Sequence, residues 1–150
     1  MEGDLQMFDH TNPVTILVPM LVIVALTFIA FVKMASARGA AVKAGHDPNY
    51  YRAHIGAPEP EGTVAAVRHW GNLFELPTLF YAACLTAFVL GAVSSWTLAF
   101  AWGWVFARLL QSVVHMTYNN PSHRGGGFVL GVLFLAALWI NVGISICGKL

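Results

Sequence analysis

The chain has 150 residues, of which 57% are hydrophobic and only 10% charged, with a formal net charge of +1. Soluble domains carry about 25% charged residues, so a soluble globular fold is excluded. The near-neutral balance argues against nucleic acid as a partner. Cys84 and Cys147 both lie in apolar segments without a CxxC or Cys/His spacing, which argues against a disulfide framework and a metal site.

The first thirteen residues are acidic and lack Lys and Arg, a poor signal peptide. The apolar segment that follows, residues 13–34, is too long for a signal core and reads as a retained span, with Pro19 as a candidate kink. Residues 35–63 form a loop rich in Pro and Gly. No charge occurs from Leu76 to Ala107, a stretch longer than the ~20 residues of one membrane helix and shorter than two. The chain must fold back inside it, with Gly91 and Ser94-Ser95 as the turn, and both helices must borrow polar residues from beyond its ends. The second and third spans are thus expected at 64–91 and 94–118. Asn119-Asn120-Pro121 and Gly125-Gly126-Gly127 break the chain before a fourth span at 125–147. The expected fold is an all-α membrane protein, a four-transmembrane-helix bundle forming a single integral membrane domain over 1–150.

Arg38, Lys43 and Arg52 fall in the first loop and Arg124 in the third, whereas the N-terminus and second turn carry no Lys or Arg. The positive-inside rule then places both termini outside and the first loop in the cytoplasm. A hairpin turning at residues 91–93 sets residues level when their numbers sum to about 183. Glu75 then faces Arg108, Asn72 faces Gln111 and Arg68 faces His115, with the first pair about 24 Å below the turn. Ionisable groups at such depth are costly and mark a site. Two readings are open. Glu75 and Arg108 form an ion pair that fixes helix register, with Asn72 and Gln111 as interhelical hydrogen bonds. Alternatively the cluster lines a polar cavity for an anionic, peptide-like ligand, because Arg38, Arg68, Arg108 and Arg124 outnumber the single nearby acid, Glu75.

The run Arg68-x-x-x-Asn72-x-x-Glu75 followed by Pro77, together with Arg108, His115, Tyr118 and Arg124, resembles the MAPEG family, membrane-associated proteins in eicosanoid and glutathione metabolism. The likeness covers essentially the whole chain and is nearest to the bacterial-type, functionally unassigned branch. It implies a homotrimer that binds glutathione as co-substrate between protomers near the cytoplasmic face. Arg38, Arg68, Asn72, Glu75, Arg108, His115 and Tyr118 would be its ligands, and Arg124 the catalytic cation that stabilises the thiolate. A lipophilic electrophile would enter from the lipid bilayer and be conjugated or reduced, making the protein a glutathione transferase or peroxidase. The resemblance equally allows a non-catalytic, lipid-binding or accessory subunit of a larger membrane complex. Departures from the family pattern are Gly71 before the Asn, Pro77 close behind Glu75, Gln111, and His at 115 where tyrosine is common. A bacterial inner membrane is expected rather than an endoplasmic reticulum.

Further expectations concern single residues. Trp96, Trp102, Trp104, Trp139 and Tyr81 read as interfacial anchors and lipid contacts. Asn141 reads as an interhelical or intersubunit hydrogen bond, and Ala82, Ala83, Ala99, Ala101 and Gly103 as close-packing positions in an oligomer. No helix carries two His at ligand spacing, so neither haem nor metal is expected.

Overall fold

The computed structural model describes residues 11–149; the expectation for the acidic N-terminus, including its His10, lies outside them. Five of the six α-helices among the described residues build four segments long and apolar enough to cross a membrane: Pro13–Lys43, Glu61–Val89, Ser95–Met116 and Pro121–Cys147. Side chains such as Leu21, Phe28, Leu133, Ile140 and Ile144 stand on the exterior. An apolar outside on helices of this length is stable only against lipid, so the protein is an integral, multi-pass membrane protein in contact with the bilayer.

The first span starts with a 3-10 turn, Pro13–Ile16, and continues as α1, Leu17–Lys43. Its Asn12 side chain accepts from the Val14 N–H at 3.1 Å. Pro19 falls in the first turn of α1, where the missing N–H breaks little of the ladder. The helix runs about nine residues past the expected end at 34. Ala35 to Lys43 is rich in Ala, Lys and Arg, good helix formers that prolong the helix beyond the apolar segment. Arg38 therefore sits on α1 rather than in a loop. The remaining loop holds one short helix, α2, Tyr50–Ala53. It is pinned by an ion pair from Arg38 Nε to Glu59 Oε1 at 3.1 Å, and the Arg38 guanidinium lies 4.9 Å from the Tyr51 ring centre.

The second span is not one helix. It consists of α3, Glu61–Gly71, and α4, Leu76–Val89. Pro77 is the cause: in a continuous helix its ring would meet the carbonyl of Leu73, and it has no N–H to offer. Placed at the start of α4, it occupies a position where neither matters. The turn after α4 uses Gly91 at φ +58°, a left-handed conformation glycine adopts freely. Next, α5, Ser95–Met116, begins with a reciprocal cap: Thr97 N–H donates to Ser94 Oγ at 3.2 Å, and Ser94 N–H to Thr97 Oγ1 at 3.1 Å. The Thr97 hydroxyl also donates to Asn141 Oδ1 at 2.7 Å. This is the interhelical bond expected of Asn141, made within one chain.

The fourth span, α6, is Pro121–Cys147, four residues longer at its start than expected. The supposed breakers are start signals. Asn120 caps the helix, accepting from Ser122 N–H at 2.9 Å and His123 N–H at 3.3 Å, and Pro121 takes the first helical position. Gly125 to Gly127 are helical, because the cap and proline have already fixed the entry. Arg124 thus belongs to the first turn of α6.

The most extensive pairing is α5 against α6, with α1 on α3 and α5, and α4 against α6. Trp104 is not a lipid contact: it is fully buried and stacks on Phe80, ring centres 4.0 Å apart at 13°. Ala83 and Ala101 are likewise buried inside the protomer, and Gly103 lies under the Phe134 ring. A wheel position shared with lipid-facing residues does not reveal which helix will cover it. Trp104→Ala removes the largest buried side chain, and a loss of about 3–5 kcal/mol is expected, read as a lowered thermal midpoint in detergent.

Candidate functional site

The interruption between α3 and α4 organises the first polar cluster. Asn72 ends α3, and hydrogen bonds from Leu73 to Trp70 O and from Phe74 to Gly71 O carry the chain out of the helix. Glu75 follows in a non-helical conformation, φ −86° and ψ −92°, its carbonyl accepting from the Thr78 hydroxyl. The break frees the Asn72 carbonyl, and at membrane depth a freed carbonyl needs a protein partner. Arg108 on α5 supplies it. One terminal nitrogen donates to Asn72 O at 2.6 Å and the other to Gln111 Oε1 at 2.7 Å. The guanidinium carbon lies 5.7 Å from the Trp104 ring centre, and the residue is 3% exposed. A planar fork with several fixed donors suits this better than a lysine would.

The second cluster forms at the α5–α6 turn. Asn119 adopts φ +47°, which asparagine tolerates better than most residues, and this allows the tight connection. Its Oδ1 accepts from one terminal nitrogen of Arg124 at 2.8 Å, and the same nitrogen lies 3.2 Å from His115 Nε2. Arginine can only donate, so His115 Nε2 accepts and the ring proton sits on Nδ1. His115 is buried and meets His69 edge-on, ring centres 4.8 Å apart. A third pair lies beside this turn, where Tyr118 Oη and His123 Nδ1 are 2.9 Å apart. The result is an arginine at the N-terminal turn of a helix that begins with exposed glycines, Gly125 and Gly126. The opening N–H groups of α6 are already taken by Asn120, so the guanidinium is the group that favours a negative charge there.

The sequence profile of the MAPEG family matches residues 16–144. The chain belongs to the MAPEG family. Comparison with curated proteins finds no match.

In this MAPEG chain the expected ligand residues do not all converge. Arg108 and Asn72 meet, although through the Asn72 backbone. His115 and Arg124 meet, and Tyr118 stands one turn of chain away with His123. Arg38 is committed to Glu59. Arg68 and Glu75 are exposed on the single protomer, with no side-chain hydrogen bond or ion pair among the described residues.

The Glu75–Arg108 ion pair does not form. The break at 72–75 turns Glu75 away from the face it would share with Arg68 on a continuous helix, and neutral oxygens take the two terminal nitrogens of Arg108 instead, while its buried Nε has no hydrogen-bond partner among the described residues. Nor do Asn72 and Gln111 bond to each other; both serve Arg108. It is His69, not Arg68, that packs on His115. Sequence reasoning also passed over Glu59, Asn119, His123 and the His69–His115 contact. The Pro77 position signalled the break, and Asn120-Pro121 signalled the early start of α6.

The two clusters depend on close α5–α6 packing. A Cβ on Gly127 would lie 3.2 Å from Gln111 Cβ and 3.3 Å from Gln111 Cα. Backbone cannot give way as a flexible side chain does. Gly127→Val is expected to push α6 off α5 at a cost of about 1–3 kcal/mol. Thermal melting checks this, and an unchanged midpoint would show the contact to be slack.

Proposed function

We propose that this MAPEG protein binds glutathione with its thiol at Arg124, and that the resulting thiolate attacks lipophilic electrophiles delivered by the bilayer. The observation that carries this reading is Arg124 itself. It is held by Asn119 and His115 through one nitrogen, its other donors have no partner among the described residues, and it stands at the start of α6. A cation at hydrogen-bond range favours thiolate over thiol, and thiolate is the nucleophile. In conjugation, sulfur forms a bond to the electrophilic carbon while the leaving group departs with its electron pair. In peroxide reduction, sulfur takes the distal oxygen as the O–O bond breaks, and a second glutathione completes the disulfide and releases water.

Two further features support the reading. A cavity of about 430 Å³ lies between α5 and α6, with apolar walls from Leu110, Val113, Val114 and Leu130 and with Tyr118 and His123 beside them. It suits a lipophilic co-substrate beside the first turns of α6, where His123, Gly126 and Gly127 line it. Arg68 and Glu75 have no cover in one protomer, and charges at membrane depth need it. A homotrimer would supply that cover, with glutathione between protomers, its carboxylates on Arg68 and its ammonium on Glu75. In this assembly Arg108 and Asn72 preserve the shape of the interrupted span, and His115 and Tyr118 border the thiol. The bacterial-type branch and an orientation with both termini outside complete the proposal.

The second reading is a non-catalytic, lipid-binding or accessory subunit of a larger membrane complex. Arg38 favours it, because its side chain is already engaged by Glu59. Glutathione titration of the purified protein in detergent separates the two. Saturable binding with a new thiolate band at about 240 nm supports the enzyme. No binding at millimolar glutathione, with the oligomer intact, overturns it and leaves the accessory reading.

A further inference from the structure

Gln111 carries an amide of which only one end is used. Its Oε1 accepts from Arg108 at 2.7 Å. Arginine can only donate, so this contact fixes which end of the amide is the oxygen. The NH2 end is left over, and Nε2 has no hydrogen-bond partner among the described residues. The residue is 6% exposed. Arg108 Nε and His115 Nδ1 are buried outright without partners, whereas the Gln111 nitrogen is not closed off in that way. Gln111 meets open space in the cavity of about 430 Å³ between α5 and α6.

That cavity offers few other polar groups. Leu110, Val113, Val114 and Leu130 wall it, while the exposed Tyr118 and His123 bond each other at 2.9 Å. The α6 side opposite Gln111 is glycine. Gly127 lets α6 approach the Gln111 backbone. Gly126 has no such reason, since a Cβ there would meet nothing within 4 Å. Glycine weakens a helix, and within the protomer its effect at this position is to leave the cavity beside Gln111 uncovered.

A buried N–H without a partner favours a ligand that brings an acceptor. Neither Lys nor Arg is among the described residues that line the cavity, so a neutral oxygen suits it better than a carboxylate. An amide does not give up its proton, so it cannot protonate the alkoxide that leaves an epoxide or a peroxide. It can hold an oxygen on which charge gathers while that oxygen stays in the molecule. We propose that the cavity takes lipophilic α,β-unsaturated ketones or aldehydes, and that the Gln111 Nε2–H holds their carbonyl oxygen during addition of the thiolate. This rests on the thiolate reading above. Gln111 lies one turn of α5, about 6 Å, from His115, the residue that meets Arg124. A conjugated carbonyl bridges that turn, with its oxygen at Gln111 and its β-carbon toward the sulfur. Sulfur bonds to the β-carbon, and the C=C electron pair shifts toward the oxygen as an enolate. The α-carbon then takes a proton from water, replacing the one the thiol gave up, and nothing leaves.

The test compares pentyl vinyl ketone with octyl iodide, an electrophile of similar length without an oxygen, as substrates of the full-length protein in detergent with glutathione. Gln111→Glu keeps an oxygen for Arg108 and replaces the N–H donor. Expected is a fall of at least tenfold in kcat/KM for the ketone relative to the iodide, with the thiolate band of bound glutathione retained. An unchanged ratio with the band retained overturns the role of Gln111 and leaves the thiolate reading standing. Loss of the band in Gln111→Glu also overturns it, because Gln111 would then serve glutathione. If the unaltered protein shows no band, the thiolate reading fails and this proposal fails with it. Should Gln111→Glu not assemble, infrared difference spectra of the unaltered protein with ethyl pentyl ketone decide. A carbonyl stretch at lower wavenumber than in dodecane is expected, and an unshifted stretch refutes the hydrogen bond.

Discussion

Arg124→Ala is expected to abolish the thiolate band of bound glutathione while the four-helix fold persists. A free thiol has a pKa of about 8.5, so only a few per cent is ionised at neutral pH. A guanidinium at hydrogen-bond distance lowers such a pKa by about two units, which raises the thiolate to roughly three quarters. Removing the cation returns the ligand to its solution value, and the band at about 240 nm falls to near background. The stability cost is small, about 1 kcal/mol, because Arg124 is only half buried and its Asn119 partner can turn to water. Arg124→Lys should keep part of the band, since a point charge remains without the fork. The measurement is a difference spectrum across a glutathione titration, beside a size measurement of the oligomer. A band that survives Arg124→Ala in an intact oligomer would place the activating group elsewhere.

Arg108→Ala acts on the fold instead. It removes the donor to the freed Asn72 carbonyl, leaves Gln111 Oε1 without its partner, and opens a void beside Trp104. Unmet acceptors at membrane depth cost about 1–3 kcal/mol each. With the lost packing, about 3–5 kcal/mol in all is expected. For a chain of this size that is a fall of roughly 10 °C in thermal midpoint. Arg108→Lys should recover less than half, because one ammonium cannot reach both oxygens in the same fixed geometry. Circular dichroism melting in detergent decides it. A shift of only a degree or two in Arg108→Ala would mean that the interrupted span holds its shape without the arginine.

Much of this architecture was legible from composition. A long uncharged stretch that fits neither one helix nor two forced the hairpin, and Gly91 and Ser94 marked its turn. Polar residues at both ends of that stretch identified Arg68, Asn72, Glu75, Arg108, Gln111 and His115 as the groups the interior would have to accommodate. Those inferences rest on the cost of charge in lipid, which acts on every residue in the same way and so can be read one residue at a time. Pairings proved different. A helical wheel assumes an unbroken helix, and Pro77 broke it, so that Glu75 lost Arg108 and a backbone carbonyl took its place. Asn120-Pro121 was read as a stop because both residues end helices as well as begin them; only the side-chain cap onto Ser122 and His123 chooses between the two. Trp104 was assigned to lipid because its hydrophobicity suits lipid and core alike. Sequence alone thus determined that the chain has four segments fit to cross a membrane and where along it the polar residues gather. The tertiary structure decided which of them meet, because a contact depends on where helices end and how they rotate, and those are properties of several segments at once.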